Sequence, residues 1–117
     1  LWQSIDAEAF NRIHVVYGTV NDKDPSPVWE IFPSAIDLHL CRPDIPRGKS
    51  VNELATMAQN LGFKYQTHDS VVRACEAAIS FAGPDDLVLI CGSIFVVAEL
   101  YTFDPGWMRH NSKPISS

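Results

Sequence analysis

Asp85-Asp-Leu-Val-Leu-Ile-Cys-Gly-Ser-Ile-Phe-Val-Val-Ala-Glu99 is the stretch of sequence that decides the fold. Leu87 to Cys91 is an unbroken apolar run rich in strand-forming residues, which is typical of a strand buried on both faces of a parallel sheet. Gly92 and Ser93 follow directly, and Ser93 is a good N-cap for a helix that begins at Ile94. The stretch therefore predicts a strand, a tight turn and a helix.

Strands and helices alternate in the same way along the rest of the chain. The predicted strands cover residues 13–17, 35–41, 63–68 and 87–91, and the predicted helices cover 1–10, 25–32, 51–61, 70–81 and 94–101. Asp24 and Ser50 are predicted helix caps. The short helix after Asp24 is expected to bury one apolar face, formed by Val28, Trp29, Ile31 and Phe32.

The order of these elements predicts the fold class. No hairpin signal joins two strands, so the strands require crossover connections. We expect a Rossmann-like, three-layer, doubly wound α/β domain with a mostly parallel sheet whose first strand is truncated. Gly18 stands alone after the first strand, without the further glycines of a dinucleotide-binding loop, so a dinucleotide site is not expected.

Composition excludes several classes of function. The 117 residues carry nine basic and fourteen acidic side chains, a formal charge of −5, which argues against a nucleic-acid surface. No apolar run approaches the ~20 residues that span a membrane. Three cysteines lie far apart without a CxxC or Cys/His cluster, which favours reduced thiols in a cytoplasmic protein and no metal site.

Polar residues follow the carboxyl ends of the predicted strands, where open α/β sheets bind ligands. They are Asn21, Asp22, Lys23 and Asp24 after the first strand, Arg42 and Arg47 after the second, and Gly92 and Ser93 after the last. Cations, a hydroxyl and a helix N-terminus suit a ligand with carboxylates or phosphates. The alternatives stay open: Lys23 and Arg47 are also explained as solvated loop charges, and Gly92 and Ser93 as a turn and a cap.

The histidines indicate structure more than chemistry. His14 and His39 lie on predicted strands and are interpreted as satisfied core or edge residues. His68 ends a strand near the polar loops and is ambiguous. No Ser-His-Asp or Cys-His arrangement is convincing, so no catalytic residue is expected in this chain.

Three motifs together resemble a known family. They are Ile13-His-Val-Val-Tyr-Gly-Thr-Val-Asn-Asp-Lys-Asp24, then Ile45-Pro-Arg-Gly48 with the Glu53-Leu-Ala helix, and then the stretch from Asp85 to Glu99. In this order and spacing they resemble the C-terminal domain of folylpolyglutamate and dihydrofolate synthases, in the Mur ligase superfamily. The resemblance covers residues 1–102, and residues 103–117 are expected to form an irregular tail.

The resemblance implies an ATP-dependent ligase that joins glutamate to a folate or dihydropteroate substrate through an acyl phosphate. Lys23 then matches a basic position that holds glutamate or the phosphate, and Ser93 matches a serine that contacts glutamate. Gly92, Asn21, Asp22 and Arg47 match neighbouring positions. ATP and Mg²⁺ would be bound mainly by a P-loop domain that precedes Leu1, so this chain alone is expected to be inactive.

Two alternatives accompany this hypothesis. The first is the C-terminal domain of a peptidoglycan Mur ligase, which acts on a nucleotide-sugar substrate. The second is a non-catalytic α/β module that binds an anion.

Overall fold

The structure is a computed structural model that describes residues 12–33, 36–92 and 96. The predicted first helix, Ser93, most of the predicted last helix and the predicted tail lie outside the described residues.

Four parallel strands form one sheet. They are β1 (Ile13–Gly18), β2 (Ile36–Leu40), β3 (Lys64–Thr67) and β4 (Leu87–Gly92), in the spatial order β3-β2-β1-β4. The connecting helices are α1 (Ser26–Trp29), α2 (Val51–Leu61) and α3 (Val71–Phe81). All three strand pairs are parallel. The predicted α/β class with a mostly parallel sheet and crossover helices is therefore confirmed.

Side chains that alternate along β1 and β2 build one core on each face of the sheet. Ile13, Val15 and Tyr17 pack with residues of α1 and α2 on the first face. Trp29 is fully buried there, and its ring meets that of Tyr17 edge-on with centroids 5.3 Å apart. Because both faces are covered, all six residues of β1 are buried. The sequence predicts that β4 is also buried on both faces, but β4 ends the described strand order, and its Val88 and Ile90 are only half-buried.

The second core lies between the sheet and α3. Val16 and Cys41 pack against residues of α3 and against Val96. The residues that α3 buries are Val71, Ala74, Cys75 and Ala78. Small side chains on this helix allow it to approach the sheet closely. Among the described helices, none is long and apolar enough to cross a membrane.

The predicted apolar face of the first described helix is wrong in part. Trp29 and Phe32 are buried, whereas Val28 is 43% exposed and Ile31 is 64% exposed. The helix has only four residues, and the chain continues in tighter turns in which Phe32 N donates to Trp29 O at 3.2 Å. A three-residue repeat of this kind directs Trp29 and Phe32 inward and leaves the residues between them in solvent.

The end of α2 differs from the sequence prediction, whereas the position of β3 agrees with it. The spacing of Leu61 from Leu54 and Ala58 predicts that it faces inward, but Leu61 is 46% exposed, because α2 ends there and Gly62 reverses the chain. The sequence of residues 63–68 forms a weaker strand, which favours an edge position, and β3 lies at the end of the strand order with all four residues exposed.

Three histidine side chains form a row across β1, β2 and the end of β3, on the side of the sheet that α3 covers. The ring of His14 lies 5.9 Å from that of His39, which in turn stacks on His68 at 5.4 Å. His14 Nε2 lies 3.1 Å from Asp86 Oδ2, and His39 Nδ1 lies 3.2 Å from His68 Nε2. His14 and His39 are buried, as expected. One nitrogen of each ring, His14 Nδ1 and His39 Nε2, has no hydrogen-bond partner among the described residues.

Burial, followed by the nearby charges of His68 and His14, lowers the pKa of His39 to about 4. The folded chain therefore holds His39 neutral at a pH where the unfolded chain protonates it. We expect the free energy of unfolding to fall as pH decreases from 6.5 to 4, by up to about 3 kcal/mol for this group. Urea unfolding at a series of pH values measures the slope.

His39→Gln removes the titrating group and should flatten that slope. An unchanged slope in this variant would show that another group is responsible.

Candidate functional site

The parallel sheet brings the carboxyl ends of three strands to one rim. Gly18 at the end of β1 pairs in register with Gly92 at the end of β4, and Tyr17 pairs with Leu40 at the end of β2. The segments that follow β1 and β2, residues 19–25 and 41–50, therefore start side by side. We call these two segments the rim loops.

Backbone hydrogen bonds join the rim loops to each other. Asn21 N donates to Arg47 O at 2.8 Å, and Lys49 N donates to Thr19 O at 2.8 Å. Val20 and Gly48 form an isolated antiparallel bridge between these two bonds. The loops thus behave as a short two-stranded ribbon, which fixes the positions of the side chains that they carry.

Four of the predicted site residues lie on this ribbon with their side chains in solvent. Asn21, Asp22, Lys23 and Arg47 are all exposed. Arg47 Nη1 lies 3.9 Å from Asp22 Oδ2, with both side chains more than 60% exposed. Such a pair contributes little to stability and can separate to admit a ligand.

Lys23 differs from the other cations of the rim. Its backbone N–H closes a turn on Val20 O at 3.1 Å, which fixes the start of its side chain. Its ammonium group has no hydrogen bond or ion pair within the described part of the chain. By contrast, Lys49 lies 3.5 Å from Glu53. Lys23 is thus an exposed positive charge on a fixed backbone turn, and no side chain among the described residues pairs with it.

Asp24 and Ser50 contact the helices that follow the rim loops. Asp24 Oδ1 accepts hydrogen bonds from the Ser26 N–H at 3.0 Å and the Ser26 hydroxyl at 2.7 Å. These bonds lower the pKa of the Asp24 carboxyl below its usual range. Ser50 Oγ accepts from the Asn52 N–H at 3.1 Å. Ser50 is the N-cap of α2, as predicted, whereas the N-cap of α1 is Pro25 and not Asp24, which bonds to Ser26 from one residue further upstream.

Tyr17 lies beneath the rim and cannot ionise at ordinary pH. Burial, with a smaller contribution from Cys91, raises the pKa of Tyr17 to about 12. Burial likewise raises the pKa of Cys91 to about 12. The floor of the rim is therefore neutral, and its charge comes from the exposed loop side chains.

The residues described offer no group of three or more His, Cys, Asp or Glu that could hold a metal ion. A cavity of about 340 Å³ lies at the opposite end of the sheet, beside His14, His39 and Lys64. Its charged groups bond mainly to one another, since Arg12 Nη2 lies 2.7 Å from Asp37 Oδ2. The cavity is separate from the rim.

The structure brings together most of the predicted site, but not all of it. Asn21, Asp22, Lys23 and Arg47 share the ribbon, and Gly92 ends the neighbouring strand. Ser93 lies outside the described residues. Sequence reasoning missed the pairing of the rim loops, because an isolated bridge of one residue pair leaves no periodic pattern in the sequence.

Comparison with known proteins agrees with this architecture. The model of the Mur ligase, glutamate ligase domain family matches residues 1–94. The chain therefore belongs to the family of Mur ligase glutamate ligase domains.

Two relatives of the chain carry the names of folate enzymes. The chain is 34% identical over 99 residues to a probable bifunctional folylpolyglutamate synthase/dihydropteroate synthase of Haloferax volcanii, covering 84% of the chain and 12% of that protein. It is 34% identical over 90 residues to the dihydrofolate synthase/folylpolyglutamate synthase of Escherichia coli, covering 76% of the chain and 20% of that protein.

Solved structures show the same fold. FolC of Escherichia coli in complex with DHPP and ADP superposes with a TM-score of 0.69 and 30% identity, over 82% of this chain and 22% of that one. The bifunctional enzyme of Yersinia pestis, complexed with AMPPNP and a Mn ion, gives 0.67 and 25%, over 79% and 22%. The chain thus spans less than a quarter of the length of these relatives.

Gly92 is required by the geometry of the rim. Its φ of 106° is unfavourable for any other residue, and a Cβ atom there would collide with Gly18 O. We expect Gly92→Ala to lower the free energy of unfolding by about 2 kcal/mol or more. Urea unfolding measures the loss.

Gly83→Ala is the matched control. A Cβ atom at Gly83 meets nothing closer than Asp86 Oδ2 at 3.7 Å, so this variant should change stability by less than about 1 kcal/mol. Equal losses in the two variants would contradict the assignment of a strained turn at Gly92.

Proposed function

We propose that these 117 residues are the glutamate-binding C-terminal domain of an ATP-dependent folate–glutamate ligase, acting as a folylpolyglutamate synthase, a dihydrofolate synthase or both. Membership of the glutamate ligase domain family and the names of the relatives support this proposal. The observation that carries it is the pairing of the rim loops, which holds Asn21, Lys23 and Arg47 together.

In the proposed reaction, a carboxylate of the folate or dihydropteroate substrate takes a phosphoryl group from ATP. The amine of glutamate then attacks the carbonyl carbon of this acyl phosphate, the phosphate leaves, and an amide bond remains. The domain has to hold glutamate, with its two carboxylates, beside another anion, and the amine has to lose its proton to attack. Positioned cations offset this repulsion and orient the amine.

Lys23 is the side chain we assign to the glutamate carboxylates or to the acyl phosphate. An ammonium group without a protein partner retains its full charge for a ligand. Arg47 supplies a second cation, and Asn21 supplies amide donors on the same ribbon. Gly92 and Ser93 are proposed to contribute backbone and hydroxyl groups from the end of β4, which adjoins the end of β1.

ATP and Mg²⁺ are assigned to the part of the ligase outside these residues. The described residues contain no group of three or more carboxylate, histidine or cysteine side chains suited to a metal ion. AMPPNP, ADP and Mn occur in the solved structures of the relatives, which supports a nucleotide and a divalent ion in the complete enzyme.

The folate branch is preferred over a peptidoglycan ligase because the curated relatives named above are folate ligases. A cytoplasmic location is proposed with it. None of the three cysteines forms a disulfide, and Cys41 and Cys75 are buried, which suits a reducing compartment.

Lys23→Ala in the complete reading frame that contains this chain tests the proposal. Loss of one charge-assisted contact costs roughly 1.5–3 kcal/mol, so the KM for glutamate should rise by about tenfold or more. The KM for ATP should stay within about twofold, because ATP is assigned to the part of the ligase outside these residues. Steady-state kinetics with each substrate varied in turn measure both.

Lys64→Ala is the matched control, because it removes an exposed lysine at the start of β3, at the opposite end of the sheet from the rim loops. It should leave both KM values unchanged. If Lys23→Ala has as little effect on glutamate as this control, Lys23 is not part of the glutamate site.

A further inference from the structure

We propose that Arg42 is a positioning residue for glutamate: its guanidinium fixes the second rim loop, and through it the residues that bind the amino acid. This inference rests on the proposed function. Arg42 lies two residues after the end of β2, and the sequence alone predicts it, like Arg47, to be a cation for a ligand. The two arginines have different surroundings in the structure.

The guanidinium of Arg42 bonds to the backbone of its own loop. Arg42 Nε donates to Gly48 O at 3.0 Å, and Arg42 Nη2 donates to Ile45 O at 2.9 Å and, more weakly, to Pro46 O at 3.5 Å. The planar guanidinium presents its donors in a fixed fork, so these bonds fix the shape of the turn as well as its position. Arg42 thereby clamps residues 45–48.

The loop backbone is built closely around this side chain. A Cβ atom at Gly48 would lie 2.5 Å from Pro43 O and 2.8 Å from Arg42 Cγ. Gly48 N also donates to Ile45 O at 3.0 Å, which closes the turn within the clamp. Only glycine allows the backbone to pass so near the stem of Arg42. The tight fit at Gly48 is therefore independent geometric evidence for the clamp.

The clamped residues are the same ones that hold the first rim loop. Arg47 O accepts from Asn21 N, Gly48 bridges to Val20, and Lys49 N donates to Thr19 O. A change in the path of residues 45–48 therefore moves Asn21, and with it the turn that carries Lys23. Arg42 reaches the proposed site only through this backbone connection.

Arg42 and Arg47 thus have different roles. Arg42 Nε and Nη2 already donate hydrogen bonds to loop carbonyls. The Arg47 side chain is 62% exposed, beside Asp22 on the ribbon. A guanidinium already bonded to backbone carbonyls is poorly placed to pair bidentately with a carboxylate ligand. Arg42 is accordingly assigned to positioning and Arg47 to the site itself.

Arg42→Ala in the complete reading frame tests the proposal by kinetics and by amide exchange. The KM for glutamate should rise by roughly tenfold, with kcat and the KM for ATP within about threefold, since displaced binding groups weaken glutamate binding. Hydrogen–deuterium exchange should accelerate in peptides covering residues 19–24 and 45–50 and stay unchanged in α3. Lys64→Ala should show neither effect.

Arg42→Lys should recover part of the glutamate affinity, because an ammonium can reach one of the carbonyls but cannot form the fork. Gly48→Ala perturbs the same clamp without touching the charge, and it serves as the second variant if Arg42→Ala does not fold. It should raise the KM for glutamate and accelerate exchange in the same two peptides.

Unchanged exchange in the rim-loop peptides would overturn the clamp. Faster exchange with an unchanged KM for glutamate would overturn the positioning role. The Lys23→Ala result separates these failures from failure of the proposed function: if it leaves glutamate binding unchanged, the site assignment fails, whereas the exchange data still decide whether Arg42 holds the loop.

Discussion

The parallel pairing of β1 with both β2 and β4 is the constraint on which the rest of the structure depends. Parallel neighbours require crossover helices, and these helices cover both faces of the sheet. The same pairing directs the carboxyl ends of the three strands to one rim, where Gly18 lies beside Gly92. Every polar group that we assign to glutamate follows from this shared direction.

The two ends of the sheet use charge differently. At the amino end, Arg12 forms an ion pair with Asp37, and the buried ring of His14 lies against the Asp86 carboxyl group. At the carboxyl end the backbone bonds between the rim loops supply the rigidity, and the cation of Lys23 needs no internal partner to be positioned. A domain that binds an anion can in this way keep an uncompensated charge without losing order.

The local sequence pattern was sufficient to predict most of the strands and helices. The apolar run of β4, the cap at Ser50 and the strand-forming residues of β1 each specify their own conformation, so the strands and longer helices follow from the sequence. It was not sufficient for the short helix α1. The chain after Trp29 can continue as an α-helix or in a tighter turn, and the tighter turn is selected because it buries both Trp29 and Phe32 in the core. Local helix propensity contains no information about that core.

The sequence by itself determined the parallel α/β class and the set of polar residues at the strand ends, because both follow from periodicity and from the order of the elements. Only the tertiary structure decided which of those residues act together. The bridge between Val20 and Gly48 and the bonds of Arg42 to Gly48 and Ile45 are contacts between loop backbones. Backbone carbonyls and amides are the same in every residue, so the sequence carries no signal for such contacts until the folded sheet brings the two loops side by side.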